Sequence, residues 1–545
     1  MLQVKKYEII SLAVSAFFLC AGIAMWALFW PIFTSELQAN YKLGANRDGS
    51  MKYATFLYSN PPMKNVMKFH FFNVTNPDEV VYLGAKPELI ETGGYGILES
   101  EQKKYTDFTE DKTKMFYQNY KKYLYSPENN DEGISYDDQI TFPNPISTGA
   151  TSVLFGPTST LTKNAQLIAS VGMMLLGEYP MISKSVKDSL FDGFDDPLLD
   201  IAHSPIFTVL TNLLGLQEVI ANQRIPEMRK FAYMSGYNNT FDENYWVNTG
   251  HDDFNRLGYV EQWAGLTELP ESFWPTKDAR KILGPDSGSL SKIYLTEDDE
   301  LPFFMSFMCR SFKKTFWKKE TVNGIHTLAF SVPKEDFDTT LEKNIGFRYQ
   351  NLENINYYPS WPPCDKKNCS VEDCKLCNGG NIVNGTYLLP PGMFPVVCYP
   401  GHTNQPPFTV LVSPPHFLYS PVEVQNQLSG ISPDPEKHKP MVFNQEKLSG
   451  TALQVRVRFQ INMPINNNKG YILTSQLPNV IVPLFYEDAH AVVDNFVFNT
   501  VWVGVVLAPR IVDYFKFALI FISLCILTVL IVLRTRVKSS SVIPM

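Results

Sequence analysis

LQVRVRFQINMPI, running from Leu453 to Ile465, decides how the larger part of the chain folds. Leu453, Val455, Val457, Phe459, Ile461, Met463 and Ile465 alternate with polar neighbours. A period of two describes a half-buried strand with one face on a core. Met67–Phe69–Phe71 and Leu328–Phe330–Val332 repeat the pattern on a shorter scale. Pro61–Pro62, Pro390–Pro391–Gly392 and Pro414–Pro415 separate such segments as turns. Several strands joined this way predict a large antiparallel barrel or sandwich.

One region reads differently. Leu161–Leu176 and Ile206–Ala221 are long enough for helices and apolar on more than one face, and Val186, Leu190 and Phe191 fit a further helical turn. At about 24 Å each, the two long segments fall short of a bilayer. They are expected to form an internal packing unit; surplus apolar surface there would meet a ligand or a membrane. Internal repeats and low-complexity linkers are absent from the sequence, so one ectodomain unit is expected.

The whole chain has 545 residues, 45% apolar and 19% charged, with a net charge of −8. Those proportions exclude wholesale disorder, and the acidic balance argues against nucleic acid as a partner. The apolar residues concentrate at the two ends. Ile9–Trp30 carries no charge and covers about 33 Å as a helix. Phe515–Leu533 has one charge, Lys516, near enough to its edge to snorkel. Both read as membrane spans, the first as an uncleaved signal anchor. Lys5 and Lys6 before one span, and Arg534, Arg536 and Lys538 after the other, predict cytosolic termini. The expected layout is a tail at 1–8, a span at 9–30, an exoplasmic ectodomain at 31–514, a span at 515–533 and a tail at 534–545.

An exoplasmic ectodomain fits its sequons, Asn73, Asn238, Asn368 and Asn384, and its cysteines. Cys364, Cys369, Cys374 and Cys377 are spaced closely enough to bind zinc, but an oxidising compartment favours two small disulfides. Cys309 and Cys398 then remain as partners. Catalytic motifs are missing: the sequence holds no H-E-x-x-H, G-x-S-x-G or P-loop pattern. The acidic run Glu297–Glu300 reads as a solvated turn, and Gly93–Gly94–Tyr95–Gly96 as a turn. Neither a metal, a cofactor nor a catalytic residue is expected.

Two terminal spans, short tails and a sequon-bearing ectodomain with clustered cysteines resemble the class B scavenger receptors. That family includes fatty acid translocase, lysosomal integral membrane protein type 2 and insect sensory neuron membrane proteins. Local stretches match in order. FHFFNVTNPDEV (Phe69–Val80) resembles the family strand ending in N-P-x-E/D-V, followed by its G-x-Y turn, here Gly93–Gly94–Tyr95. LFDGFDDPLL (Leu190–Leu199) is similar to the L-W-G-Y-x-D-P element, with Asp192 in place of Trp. MCRSF (Met308–Phe312) resembles the stretch around the first cysteine of the family's long disulfide. SPPHFLYSP (Ser413–Pro421) and GISPDPEKH (Gly430–His438) resemble the P-H-F strand and its continuation.

The resemblance implies an α+β membrane protein with an antiparallel barrel-like core, an apical helical bundle at 155–230 and a Cys-rich loop at 364–398. It also implies Cys309–Cys398 as the long disulfide and a hydrophobic tunnel leading toward the bilayer. The expected function is a receptor, not an enzyme, that binds lipids, fatty acids or lipoprotein particles and passes lipid to the membrane. Lys163, Leu167, Val171, Met174 and Lys184 are expected near a ligand entrance, the lysines facing an anionic head group. The alternative is a sorting or adhesion receptor that grips a protein at the apical helices. The plasma membrane is the expected address, with lysosome or endosome as the alternative, since the tail RTRVKSSSVIPM lacks an acidic dileucine signal. A homo-oligomer is compatible with all of this.

Overall fold

The computed structural model describes residues 2–540 apart from 157–158, 160, 215–228, 348–376, 379–380, 383–388, 400, 405 and 407–408. Helix α1 (Leu2–Tyr41) and the last helix, Ala508–Ser540, pack against each other and are the two spans. Each runs beyond its uncharged stretch. Most of what lies between them is sheet, as the alternating stretches predicted.

Eleven strands form one antiparallel path. In chain order they are β1 (Met63–Val74), β2 (Leu89–Phe108), β3 (Lys114–Tyr125), β4 (Thr240–Asn248), β5 (Val260–Trp263) and β6 (Glu300–Met305). Then come β7 (Arg310–Val322), β8 (Ile325–Ser331), β9 (Val442–Glu446), β10 (Ala452–Ile465) and β11 (Val480–Val493). Their spatial order is β6-β7-β8-β9-β10-β11-β1-β2-β3-β4-β5. First and late strands meet in the middle, Met63 opposite Val493 and Phe71 opposite Phe485. The two outer strands are joined by the segment Gly284–Ser287. Val260 N–H donates to Gly284 O at 3.0 Å on one side, and Ser287 N–H to Phe304 O at 2.7 Å on the other. That segment brings the sheet close to a closed barrel and covers edges that would otherwise invite pairing.

β10 fixes the direction of the barrel. The turn before it meets the first span, where Tyr41 Oη and Thr451 Oγ1 share a hydrogen bond. At roughly 3.3 Å per residue the strand carries the chain about 45 Å away. There Tyr471 packs with Phe155, Ala169 and Met173 of two helices, α2 (Pro145–Phe155) and α3 (Lys163–Leu175). Asn144 caps α2 by accepting from the N–H groups of Ile146 and Ser147, and Thr162 caps α3 through Ala165 N–H. α4 (Pro205–Leu214) follows, and the rest of the expected second helix lies outside the described residues. Val186, Leu190 and Phe191 flank or join a short π turn, Asp188–Asp192.

One expectation needs correction. Gly93 and Gly94 do not make a turn; they form a bulge inside β2, where Phe69 pairs with Tyr95 and His70 with Gly93. A Cβ on Gly93 would sit 2.5 Å from Phe69 O, and Gly94 holds a φ of +78°. The glycines therefore serve strand curvature. The run Glu297–Glu300 is held by ion pairs to Lys319, Lys292 and Lys313. The P-H-F stretch covers the outside of the sheet: His416 Nε2 lies 3.0 Å from Glu91 and its ring stacks on His438 at 4.3 Å.

Candidate functional site

Period-two alternation sends one set of side chains from each strand into the barrel. Those sets form two apolar cores, one around Tyr117, Tyr245, Phe303 and Phe443, the other around Phe69, Ile97, Tyr123 and Phe485. Between them the inward positions of β2 and β3 change character. Ile97 is followed on its face by Glu99, Glu101 and Lys103, and Tyr117 by Asn119 and Lys121. Lys103 Nζ lies 2.9 Å from Glu101, and Lys121 lies 3.4 Å from Glu101 and 3.7 Å from Glu99. Asn119 links Asp242 and Asp286, and Tyr245 Oη donates to Asp242. A charged belt thus crosses the interior on the β2–β3 side.

Four carboxyls share two ammoniums, so the compensation is partial and centres on Glu101. Burial alone would raise the Glu101 carboxyl, but Lys103 and Lys121 bring it down to about 2. Burial opposes the Lys103 charge, and Glu101 outweighs it, so the ammonium binds its proton more tightly than usual. Asp242, at the belt's rim, is instead pushed up to about 8 by burial. The Glu101–Lys103 pair, this withdrawn from water, persists because each of its two charges faces the other.

Three strands along the sheet from β2, the inward face of β10 is apolar throughout. Val455, Val457, Phe459 and Ile461 on β10 pack on the first core, and Val457 and Ile461 also touch the second. Apolar contact is therefore continuous along β10 while the belt interrupts it on β2 and β3. Phe459 and Ile461 also line a cavity of about 120 Å³ with Phe231, Tyr237, Phe307 and Glu487. That volume lies below the roughly 300–1,000 Å³ of small-molecule sites. Glu487 puts a carboxyl on its wall, pushed up to about 8 by burial and by the nearby Glu99. Burial thus favours the neutral, protonated form, which can donate a hydrogen bond into a cavity also lined by Tyr233, Tyr237 and Tyr399.

Cys398 lines the same cavity and is bridged to Cys309 across 89 residues, with Cα atoms 6.2 Å apart. Cys364, Cys369, Cys374, Asn368 and Asn384 lie outside the described residues; Cys377 opens the two-residue strand Cys377–Asn378. Asn73 Oδ1 accepts from Thr141 N–H at 2.8 Å. Asn238 bridges both backbone groups of Tyr123, at 2.9 and 3.1 Å.

The expected entrance residues do not gather at the cavity. Leu167, Val171 and Met174 form an outward stripe on α3, exposed by 64%, 43% and 42%, with Lys163 one turn before them. Ile206, Val209 and Leu213 repeat such a stripe on α4. Lys184 stands apart on the strand Met181–Ser185, its ammonium 4.7 Å from the Phe194 ring centroid. Sequence reading missed Glu487 and the belt. Only the polar letters within alternating strands hinted at them.

Comparison with known proteins bears on the whole architecture. The family model described as the CD36 family matches residues 13–534. An uncharacterized protein of Caenorhabditis elegans, R07B1.3, is 65% identical over 541 residues, 99% of each chain. Scavenger receptor class B member 1 of Rattus norvegicus is 23% identical over 520 residues, covering 95% of this chain and 88% of that one. Lysosome membrane protein 2 of Mus musculus is 24% identical over 438 residues, covering 80% and 77%. With two paired spans enclosing one barrel-like ectodomain, and a family match running from the first span to the second, this chain belongs to the CD36 family.

Proposed function

We propose that this two-span membrane protein is a receptor that binds lipid or lipid-carrying particles and passes lipid through the barrel interior to the bilayer. One observation carries the reading: the uninterrupted apolar wall of β10, joined to both cores by Val457 and Ile461. A 16-carbon chain exposed to water costs roughly 12 kcal/mol at about 0.8 kcal/mol per methylene, and a continuous apolar wall offsets that cost. The cavity at Glu487 is smaller than a lipid chain needs, so on this reading its walls part to admit one. The receptor acts by binding, without catalysis. Its termini lie in the cytosol and its ectodomain outside the cell, with the lysosomal or endosomal lumen as the other address.

The test replaces Val457 or Ile461 with Trp in the full chain expressed in cells. Uptake of a fluorescent fatty acid or cholesteryl ester should fall while surface expression and particle binding persist. A uniform loss of surface expression with no selective slowing of uptake would instead mark the wall as solid core, where overpacking costs about 1–3 kcal/mol.

A second reading rests on the apolar stripes of α3 and α4: a sorting or adhesion receptor that holds a protein there. Leu167→Asp together with Val171→Asp would abolish particle or protein capture under that reading and leave uptake of free fatty acid intact.

A further inference from the structure

A second cavity, far from the β10 wall's middle, is built differently. It lies at the end of the barrel remote from the spans, between α2, the first turns of α3 and the loop from Ile465 to Asn479, and holds about 430 Å³. That volume falls within the usual range for small-molecule sites. Its floor is apolar, with Phe155 backed by Tyr471 in a near-parallel stack at 5.9 Å. Its walls are amides and hydroxyls. Asn468 and Asn479 hold the loop itself: Asn468 Oδ1 accepts from Gly470 N–H at 2.9 Å, and Asn479 Oδ1 from Asn467 N–H at 2.7 Å.

Thr474 Oγ1 is likewise committed, lying 2.9 Å from Asn468 O and 3.1 Å from Tyr471 O, but other polar side chains in the lining are free. Gln166, Ser152 and Asn467 line the cavity and make no side-chain hydrogen bond among the described residues. Thr151 Oγ1 and Asn466 Oδ1, also in the walls, are withdrawn from solvent and equally without a partner. Thr151 is only 6% exposed, and unpaired oxygens in such a position carry a desolvation penalty until something donates to them.

The chemistry of the lining selects the ligand. Lys469 is the one charged residue among the described lining residues, so neither a metal ion nor a multiply charged anion finds its complement. Hydrocarbon would bury these amides unpaired. Asn and Gln each offer two donors and an acceptor, and hydroxyls do both. A pyranose answers that set, with several hydroxyls around its rim and an apolar C–H face for the aromatic floor. We propose that this cavity is a binding site for a neutral sugar unit, independent of the lipid path.

The test uses the full-length chain in a polyoxyethylene detergent, which has no sugar head group, after glycosidase treatment to remove attached glycan. Saturation-transfer NMR is run with free glucose, galactose, mannose and N-acetylglucosamine, and with their sulfated or phosphorylated counterparts. At least one neutral sugar should show transfer. In a Gln166→Ala/Asn467→Ala variant its affinity should drop by about three- to tenfold for each hydrogen bond lost. Both side chains are at least partly exposed, so the variant should melt as the parent does. No transfer to any neutral sugar, transfer undiminished in the variant, or binding confined to the charged sugars would each overturn the proposal. Fatty acid uptake should be unchanged in the variant, which separates this site from the lipid path.

Discussion

Ser15 and Ser523, 508 residues apart in the chain, share a hydrogen bond of 2.9 Å between their side-chain oxygens inside the paired spans. Each hydroxyl also lies within 3.0 Å of the other's backbone carbonyl, and with one proton apiece the pair fills two of these three contacts at a time. Close approach depends on Gly22, where a Cβ would meet Ile520 Cγ1 at 2.7 Å. Small residues with interhelical hydrogen bonds are how spans associate when lipid is as apolar as leucine. Gly22→Leu should separate the spans and lower the melting temperature in detergent. Ser15→Ala should cost only about 0.6 kcal/mol. A Gly22→Leu protein that melts with the parent would show the contact to be incidental.

The flanking lysines and arginines predict cytosolic termini for those spans. Epitopes placed at either terminus should stain only after cells are permeabilised. Surface staining of intact cells at either end would refute a cytosolic tail.

The Cys309–Cys398 bridge closes a long loop, and on the chain-entropy model that is worth roughly 4–5 kcal/mol. Replacing either cysteine with serine should therefore retain most of the protein intracellularly. Peptide mapping without reductant should yield the Cys309–Cys398 pair and confine Cys364, Cys369, Cys374 and Cys377 to pairs among themselves. A bridge from Cys309 to one of those four would contradict the assignment.

Glu487 makes stability depend on pH. Its carboxyl titrates near 8 in the fold against an ordinary 4.5, so the folded state holds a proton that the unfolded chain releases. Its contribution is full below about 4.5 and is lost as pH rises toward 8. His438 acts in the opposite sense: burial and the neighbouring His416 lower it to about 4, so its contribution fades as pH falls below about 6.5. Comparing parent with Glu487→Gln isolates the first effect. The variant should gain about 1.4 kcal/mol per pH unit relative to the parent over most of the range from pH 5 to pH 8, a few kcal/mol in all, by thermal melting. An offset that does not change with pH would mean the carboxyl is already ionised.

Much of this was legible beforehand because alternation along Leu453–Ile465 and the charge-free ends admit few other readings. The interior was harder. Glu99, Glu101 and Lys103 alternate as regularly as the apolar positions do, but period two does not say which face points inward. Only pairing with β3, which sets Glu101 opposite Lys121, makes a buried belt out of them. Gly93–Gly94 misled for a related reason: a bulge and a turn ask for the same residue, and the partner strand decides between them. The sugar-sized cavity joins side chains some three hundred positions apart, a distance over which a linear sequence carries no proximity signal.

The pairing of Met63 with Val493 has a consequence for synthesis. β1 leaves the ribosome early, yet one of its two neighbours, β11, is nearly the last part of the ectodomain to appear. Until then β1 waits with one edge bare, and exposed edges of this kind recruit chaperones or each other. A nonsense codon anywhere before Val480 would leave every nascent copy with that edge permanently open. Such truncations should be retained and degraded rather than secreted as soluble ectodomain, however much of the remaining barrel has assembled.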